Sequence, residues 1–224
     1  MLVPPLSNAA RRDDWAEALQ FLIFSLVAPG LFVAGAPWRA LGCARRARAL
    51  ADARRRHPER LRAAAFVAVA LFCDLAWRTP PAVNELHVGG WSVALEAVSL
   101  FVTGCGLFLE CLPSSPLSPR STKQVCIVLA AVSMWAIWVL AYLLAMSRSN
   151  WYRAYQHVAG HGLSLGADQQ IAAGLIWAVA ALCFVPLIFW YLFDWLRSEE
   201  DPDVALRRFV SEERRRSVPP RLFP

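Results

Sequence analysis

The densest group of ligand-type side chains lies in the stretch W-Y-R-A-Y-Q-H-V-A-G-H-G-L-S-L-G-A-D-Q-Q, from Trp151 to Gln170. His157 and His161 have the i, i+4 spacing that lets two imidazoles share one metal ion if the segment is helical. Asp168 admits two roles, as a further ligand or as the N-cap of the apolar helix that follows. Elsewhere, ionisable or polar residues stand among apolar neighbours at Glu17, Gln20, Asp74, Arg78 and Glu96. Charges in apolar surroundings are costly unless they are paired or used. Asp74 and Arg78 are four apart, on one helix face, and an ion pair between them is the plainest reading. Glu17 and Gln20 fall one turn apart and also read as an interfacial polar turn. His87 is a further polar residue, in the connection after Pro81, and His57 sits among arginines whose charge repels a metal ion. No Walker loop, dinucleotide-binding glycine fingerprint, H-E-x-x-H or G-x-S-x-G is present, so no standard enzymatic chemistry is expected.

The elements that must hold these residues are membrane helices. Of the 224 residues 57% are hydrophobic and ten are Trp, a composition that leaves too little polar surface for a soluble domain. Apolar segments long enough to cross a hydrocarbon core of about 30 Å occur about five times, at roughly 15–38, 61–78, 92–112, 124–146 and 169–197. Backbone groups in lipid must be satisfied within the segment, and none of these runs alternates with a period of two, so they are helices rather than barrel strands. The expected fold is an all-α integral membrane bundle, with an outer tail over 1–14, the bundle over 15–197 and a charged tail over 198–224.

Orientation follows from the basic residues. Arg39, Arg45, Arg46, Arg48, Arg54, Arg55, Arg56 and Arg60 crowd the first connection, Arg120 and Lys123 the third, and seven arginines the region from Arg197 onward. The positive-inside rule puts these on the cytoplasmic side, the N-terminus outside, the C-terminus inside and the Trp151–Asp168 loop outside. The same rule accounts for the net charge of +6 without a nucleic acid partner. A signal peptide ending at Ala40–Cys43 would place the arginine-dense loop outside, against that bias. The connection Arg39–Arg60 reads as a solvated topology anchor or as an amphipathic helix on anionic lipid. The connection Pro81–Trp91 reads as a loop. Pro29 should bend the first span and Pro37 stop it, while T-G-C-G at Thr103–Gly106 suits close helix packing. None of the six cysteines falls in an outer loop, and no disulfide framework or C-x-x-C metal motif is implied.

Several stretches in order resemble the cytochrome c oxidase assembly factor CtaG family of caa-type oxidases. They are L-Q-F-L-I-F-S-L-V-A-P-G-L-F-V-A-G-A-P-W (Leu19–Trp38), A-W-R-T-P-P (Ala76–Pro81), A-L-E-A-V-S-L-F-V-T-G (Ala94–Gly104) and G-L-S-L-G-A-D-Q-Q-I-A-A-G-L-I-W (Gly162–Trp177). The resemblance implies a multi-pass protein of the bacterial inner membrane that helps mature a haem-copper oxidase, with oxidase subunits and the lipid bilayer as partners and copper as its cargo. In that family, histidines recur near the outer face. Here Glu17 and Phe21 stand where an H-x-x-Q-H pattern is expected, Arg78 where W-H-x-P is expected, and Ala97 where a histidine follows the glutamate. Phe and Ala ligate nothing and Arg keeps its proton, so the chain resembles a shorter, divergent branch with most of that cluster emptied.

A copper site would then fall to His157, His161, Glu96 and Asp168, supported by Glu17, Gln20, Asp74, Arg78 and Gln170. Two alternatives stay open: a metal-free accessory or scaffold subunit of a respiratory complex, and a membrane transporter using Asp74, Arg78 and Glu96.

Overall fold

A computed structural model describes residues 8–38, 42–55, 59–115, 117, 121–147, 149–157 and 163–200. All its described regular elements are helical: α1 (Asp14–Ala34), α2 (Ala44–Arg55), α3 (Glu59–Trp77), α4 (Pro80–Val88), α5 (Trp91–Cys111), α6 (Lys123–Met146) and α7 (Leu165–Glu200), with a 3-10 turn at Arg153–His157. Four of these, α1, α5, α6 and the Leu165–Ser198 part of α7, are long and apolar enough to cross a membrane. The fifth expected span is α3. It packs against α5 and α6, but Glu59, Arg60, Arg62 and Asp74 make it more charged than the other four. Each long helix runs opposite to the one before it, as the contacts at both ends require.

The expected boundaries shift for local reasons. α1 contains a π turn at Ile23–Val27, directly before Pro29. Pro29 has no N–H for the Ser25 carbonyl four residues back, and the wider π turn absorbs the break. The helix stops at Ala34, short of the expected Trp38, and Ala36 has left-handed backbone (φ 45°). The connection expected to be a loop holds α4. Pro80 and Pro81 occupy its first turn, where a missing N–H costs nothing, and Gly89 ends it at φ +85°. The last helix begins at Leu165, four residues before the expected start, because the Ser164 hydroxyl accepts the Ala167 N–H at 3.2 Å.

Packing along the bundle is set by small residues. Any side chain at Gly104 would collide with the freed Ser25 carbonyl and come within 2.8 Å of Pro29 Cγ, so α5 rides directly over the π turn of α1. Gly106 receives the Phe66 ring of α3 in the same way. The core between the helices is apolar, built from residues such as Leu22, Leu26, Leu100, Leu107, Ile176 and Phe184. Large side chains including Phe72, Trp135, Leu182 and Trp190 point outward, as expected where lipid covers the surface. The arginine-rich connection forms the helix α2, with Arg45, Arg46 and Arg48 exposed. The charged tail expected over 198–224 lies, after Glu200, outside the described residues.

Candidate functional site

Buried polar groups gather at the end of the bundle where α1 begins. Arg78 leaves the C-terminus of α3 with a fully buried guanidinium. Nη1 pairs with Glu17 Oε2, and Nη2 lies 3.4 Å from Asp14 Oδ1, both on the first two turns of α1. The Phe21 and Tyr152 rings bracket the guanidinium, with centroids 5.5 and 5.1 Å from its carbon. An arginine suits this slot because its planar, weakly hydrated cation can stack on rings while it donates in plane. Tyr152 also donates its O–H to the Arg78 carbonyl at 3.1 Å. Arg78 therefore joins α1, α3 and the segment before α7.

The expected Asp74–Arg78 ion pair is not formed. Asp74 is buried one turn back on α3, while Arg78 lies beyond the helix end and turns to α1, where two carboxylates compete for it. The N-cap expected of Asp168 is also placed differently. Ser164 begins α7, and Asp168 instead caps α1: its Oδ2 accepts the Asp14 N–H at 2.8 Å and its Oδ1 the Trp15 N–H at 3.0 Å. Asp13, the residue before α1, makes no side-chain cap of its own. A carboxylate from another helix thus satisfies the orphan N–H groups of a helix start.

Gln169 and Gln170 divide their labour. Gln169 is buried, accepts the Trp151 N–H at 2.9 Å and donates to the Leu144 carbonyl at 2.9 Å, tying the α6 end to α7. Gln170 faces outward. Of the two histidines, His157 ends the 3-10 turn, and its side chain, like all of His161, lies outside the described residues. Among the described residues no three His, Cys, Asp or Glu side chains converge closely enough to ligate one metal ion directly.

Glu96, the remaining candidate, is completely buried one turn into α5. With Glu17, Gln20, His87 and Tyr155 it lines a polar cavity of about 50 Å³. Neither Glu96 oxygen makes a hydrogen bond of normal length, and the Gln20 amide is the side chain that interacts with it as a donor. Tyr155 donates its O–H to the Ala10 carbonyl at 3.1 Å, and its ring meets His87 edge to face at 5.6 Å. Burial, and then the charge of Arg11, lowers the His87 pKa and keeps its imidazole neutral. Burial raises the Tyr152 and Tyr155 phenols, which stay protonated donors. A concavity of about 540 Å³ is an apolar groove between α6 and α7 lined by Ala141, Ala173, Gly174 and Tyr142 and by Trp135, Trp138 and Trp177; it holds no carboxylate, imidazole or basic side chain.

The sequence reading names His87 without a role and misses Asp14, Tyr152 and Tyr155, which carry no spacing pattern. The one usable signal was W-Y-R-A-Y itself, two aromatic rings with polar tips beside a polar loop.

Comparison with known families matches residues 1–198 to the model for the cytochrome c oxidase caa3 assembly factor (Caa3_CtaG). The matched range covers the helical bundle and the whole of the buried polar cluster. No curated protein and no solved structure matches the chain.

Proposed function

The chain belongs to the cytochrome c oxidase caa3 assembly factor family, and on that premise we propose that it serves maturation of a haem-copper oxidase in the bacterial inner membrane. The observation that carries this reading is the match over residues 1–198, nine-tenths of the chain and all of its membrane helices. In this reading it acts as a non-catalytic partner of oxidase subunits. The basic connection and tail face the cytoplasm, and the Arg78 end faces outward, in line with the positive-inside rule.

The copper part of the reading rests on His157 and His161. Imidazole nitrogen is a donor copper favours, and the pair lies in the segment that joins the 3-10 turn to α7. Glu96 and Asp168 complete the ligand set read from the sequence, but each has a competing engagement. Asp168 would give up two backbone N–H groups at the α1 start, and Glu96 would leave its cavity. Copper, when bound, is cargo for the oxidase. The chain's own contribution is to hold the loop over a rigid helix end, through Tyr152 on Arg78, Asn84 on the Ala154 N–H at 2.9 Å, and Gln169 on Trp151.

A second reading is favoured by Arg78. At a position where the family pattern expects an imidazole, a tethered cation already occupies the carboxylates of Asp14 and Glu17. In this reading the branch is a metal-free accessory that holds oxidase subunits through helix packing.

Both readings are tested in a strain lacking the protein, complemented with the wild type or with His157→Ala together with His161→Ala. Affinity purification of the wild type should bring down oxidase subunits, and oxidase from the double variant should carry less copper. Oxidase that keeps full copper with the double variant sinks the copper part and leaves the accessory reading. Failure to recover any oxidase subunit, with normal oxidase in the deletion strain, sinks the assembly reading itself.

A further inference from the structure

The cavity at the Arg78 end is lined by acceptors that have nothing to accept. Glu17 Oε1, Gln20 Oε1, both Glu96 oxygens and His87 Nδ1 are all buried and all lack a hydrogen-bond partner. Their residues line the same space of about 50 Å³. Buried polar atoms without partners are rare in native proteins because each costs the full desolvation of the group. Five around one cavity describe a polar site that a guest would complete. Arg78 Nε also lacks a partner, but Arg78 does not line this cavity.

The chemistry of the occupant follows from the atoms that would meet it. Four are carboxylate or amide oxygens and one is an imidazole nitrogen, so the guest must donate hydrogen bonds or act as a Lewis acid. Charge points the same way. Among the described residues, Asp14, Glu17, Glu96 and Asp168 are buried at this end, the two aspartates at a neighbouring cleft, against one buried cation, Arg78. Arg11 also lines the cavity; it is exposed, with its guanidinium over Gly89, and its charge reaches His87. Oxygen-rich sets suit hard cations rather than copper. Because no three acidic or histidine side chains among the described residues converge for direct ligation, the ion must keep waters, as Mg²⁺ does when one or two carboxylates hold it. The space is adequate, since one water needs roughly 10–15 Å³ of such volume.

We propose that the Glu17–Gln20–His87–Glu96 cavity binds one small, hard divalent cation that keeps part of its water shell, with Glu96 as its principal anionic ligand. Glu17 contributes the oxygen that Arg78 leaves free, Gln20 its amide oxygen, and His87 accepts from a bound water. The ion balances the buried charge that joins α1 to α5, next to the residues that fix the histidine loop. This site is separate from the copper reading and stands or falls without it.

Mn²⁺ serves as the probe. The full chain, purified in detergent and stripped with a chelator, is titrated with Mn²⁺ while the signal of the free ion is followed by electron paramagnetic resonance. The expected result is one bound Mn²⁺ per chain, displaced by excess Mg²⁺, with binding weakened at least about tenfold, or about 1.4 kcal/mol, by Glu96→Gln. His157→Ala with His161→Ala should bind as the wild type does, which separates this outcome from any failure of the copper reading. If Glu96→Gln does not yield folded protein, Gln20→Met removes one ligand oxygen at similar volume and should also weaken binding. Wild-type protein that takes up no Mn²⁺, or folded variants that bind it equally well, would overturn the proposal.

Discussion

At each end of the bundle an arginine meets a glutamate across two helices, and the two meetings differ in geometry. At the far end, Arg62 of α3 grips Glu110 of α5 with Nε and Nη2 at 3.0 and 3.1 Å, a bidentate fork. Beside it, Lys123 pairs with Asp194 at 2.7 Å and Ser114 bonds the Val33 carbonyl. At the near end Arg78 meets the carboxylates of Asp14 and Glu17 with one nitrogen each, and Glu96 lies behind them at an open cavity. A bidentate fork fixes two helices to each other and serves structure. Buried acceptors around a cavity are tolerated only where something else completes them, so the near end is where function is sought.

The contrast breaks or holds on substitutions at the two ends. Arg78→Met should have the largest effect: it leaves Asp14 and Glu17 buried without a cation, a loss on the order of 3–5 kcal/mol. Thermal unfolding in detergent checks this against Arg62→Met, which removes the bidentate fork on Glu110. An Arg62 variant as damaging as the Arg78 variant would remove the distinction between the ends. Arg78→Lys should recover only part of the loss, because an ammonium cannot stack between Phe21 and Tyr152 while donating in plane.

Next in size is the contact both ends share. Gly104→Ala should destabilise by about 1–3 kcal/mol, since the added methyl meets the Ser25 carbonyl and Pro29. Gly174→Ala, where nothing lies within 4 Å, should be near neutral in the same melt. Equal melting temperatures would show that α1 and α5 are not held in close approach.

Smaller again is Asp168→Ala, which uncaps α1 and should cost about 0.5–2 kcal/mol. Its signature is local, with faster amide exchange at Asp14 and Trp15 than in Ser164→Ala. Unchanged exchange there would refute the cap between helices. Gln169→Leu should cost least, roughly 0.6 kcal/mol for each hydrogen bond lost in a membrane setting. Limited proteolysis near Trp151 reads the loosened loop, and cleavage no faster than in wild type would count against Gln169 as its anchor.

The helical class, the apolar spans, the kink-prone first helix and the family were legible from the sequence, because each depends on a run of residues or a motif read in order. Glycines at Thr103–Gly106 announced close packing, and the structure supplies the partner they admit. Pro80 and Pro81 were misread as loop residues although proline in a first turn starts helices; Gly89, which ends α4, would have marked its other boundary. What the sequence could not decide was who pairs with whom. Asp74 lies four residues from Arg78, yet the guanidinium goes to Asp14 and Glu17, more than sixty positions away. Asp168 sits in the first turn of its own helix and caps another. His87, which the sequence gives no partner, joins Glu96 and Glu17 at one cavity. Spacing along a helix determines which residues share a face. Which faces meet is decided only when the bundle closes, because burial makes distant charges neighbours and removes the water that would otherwise separate them.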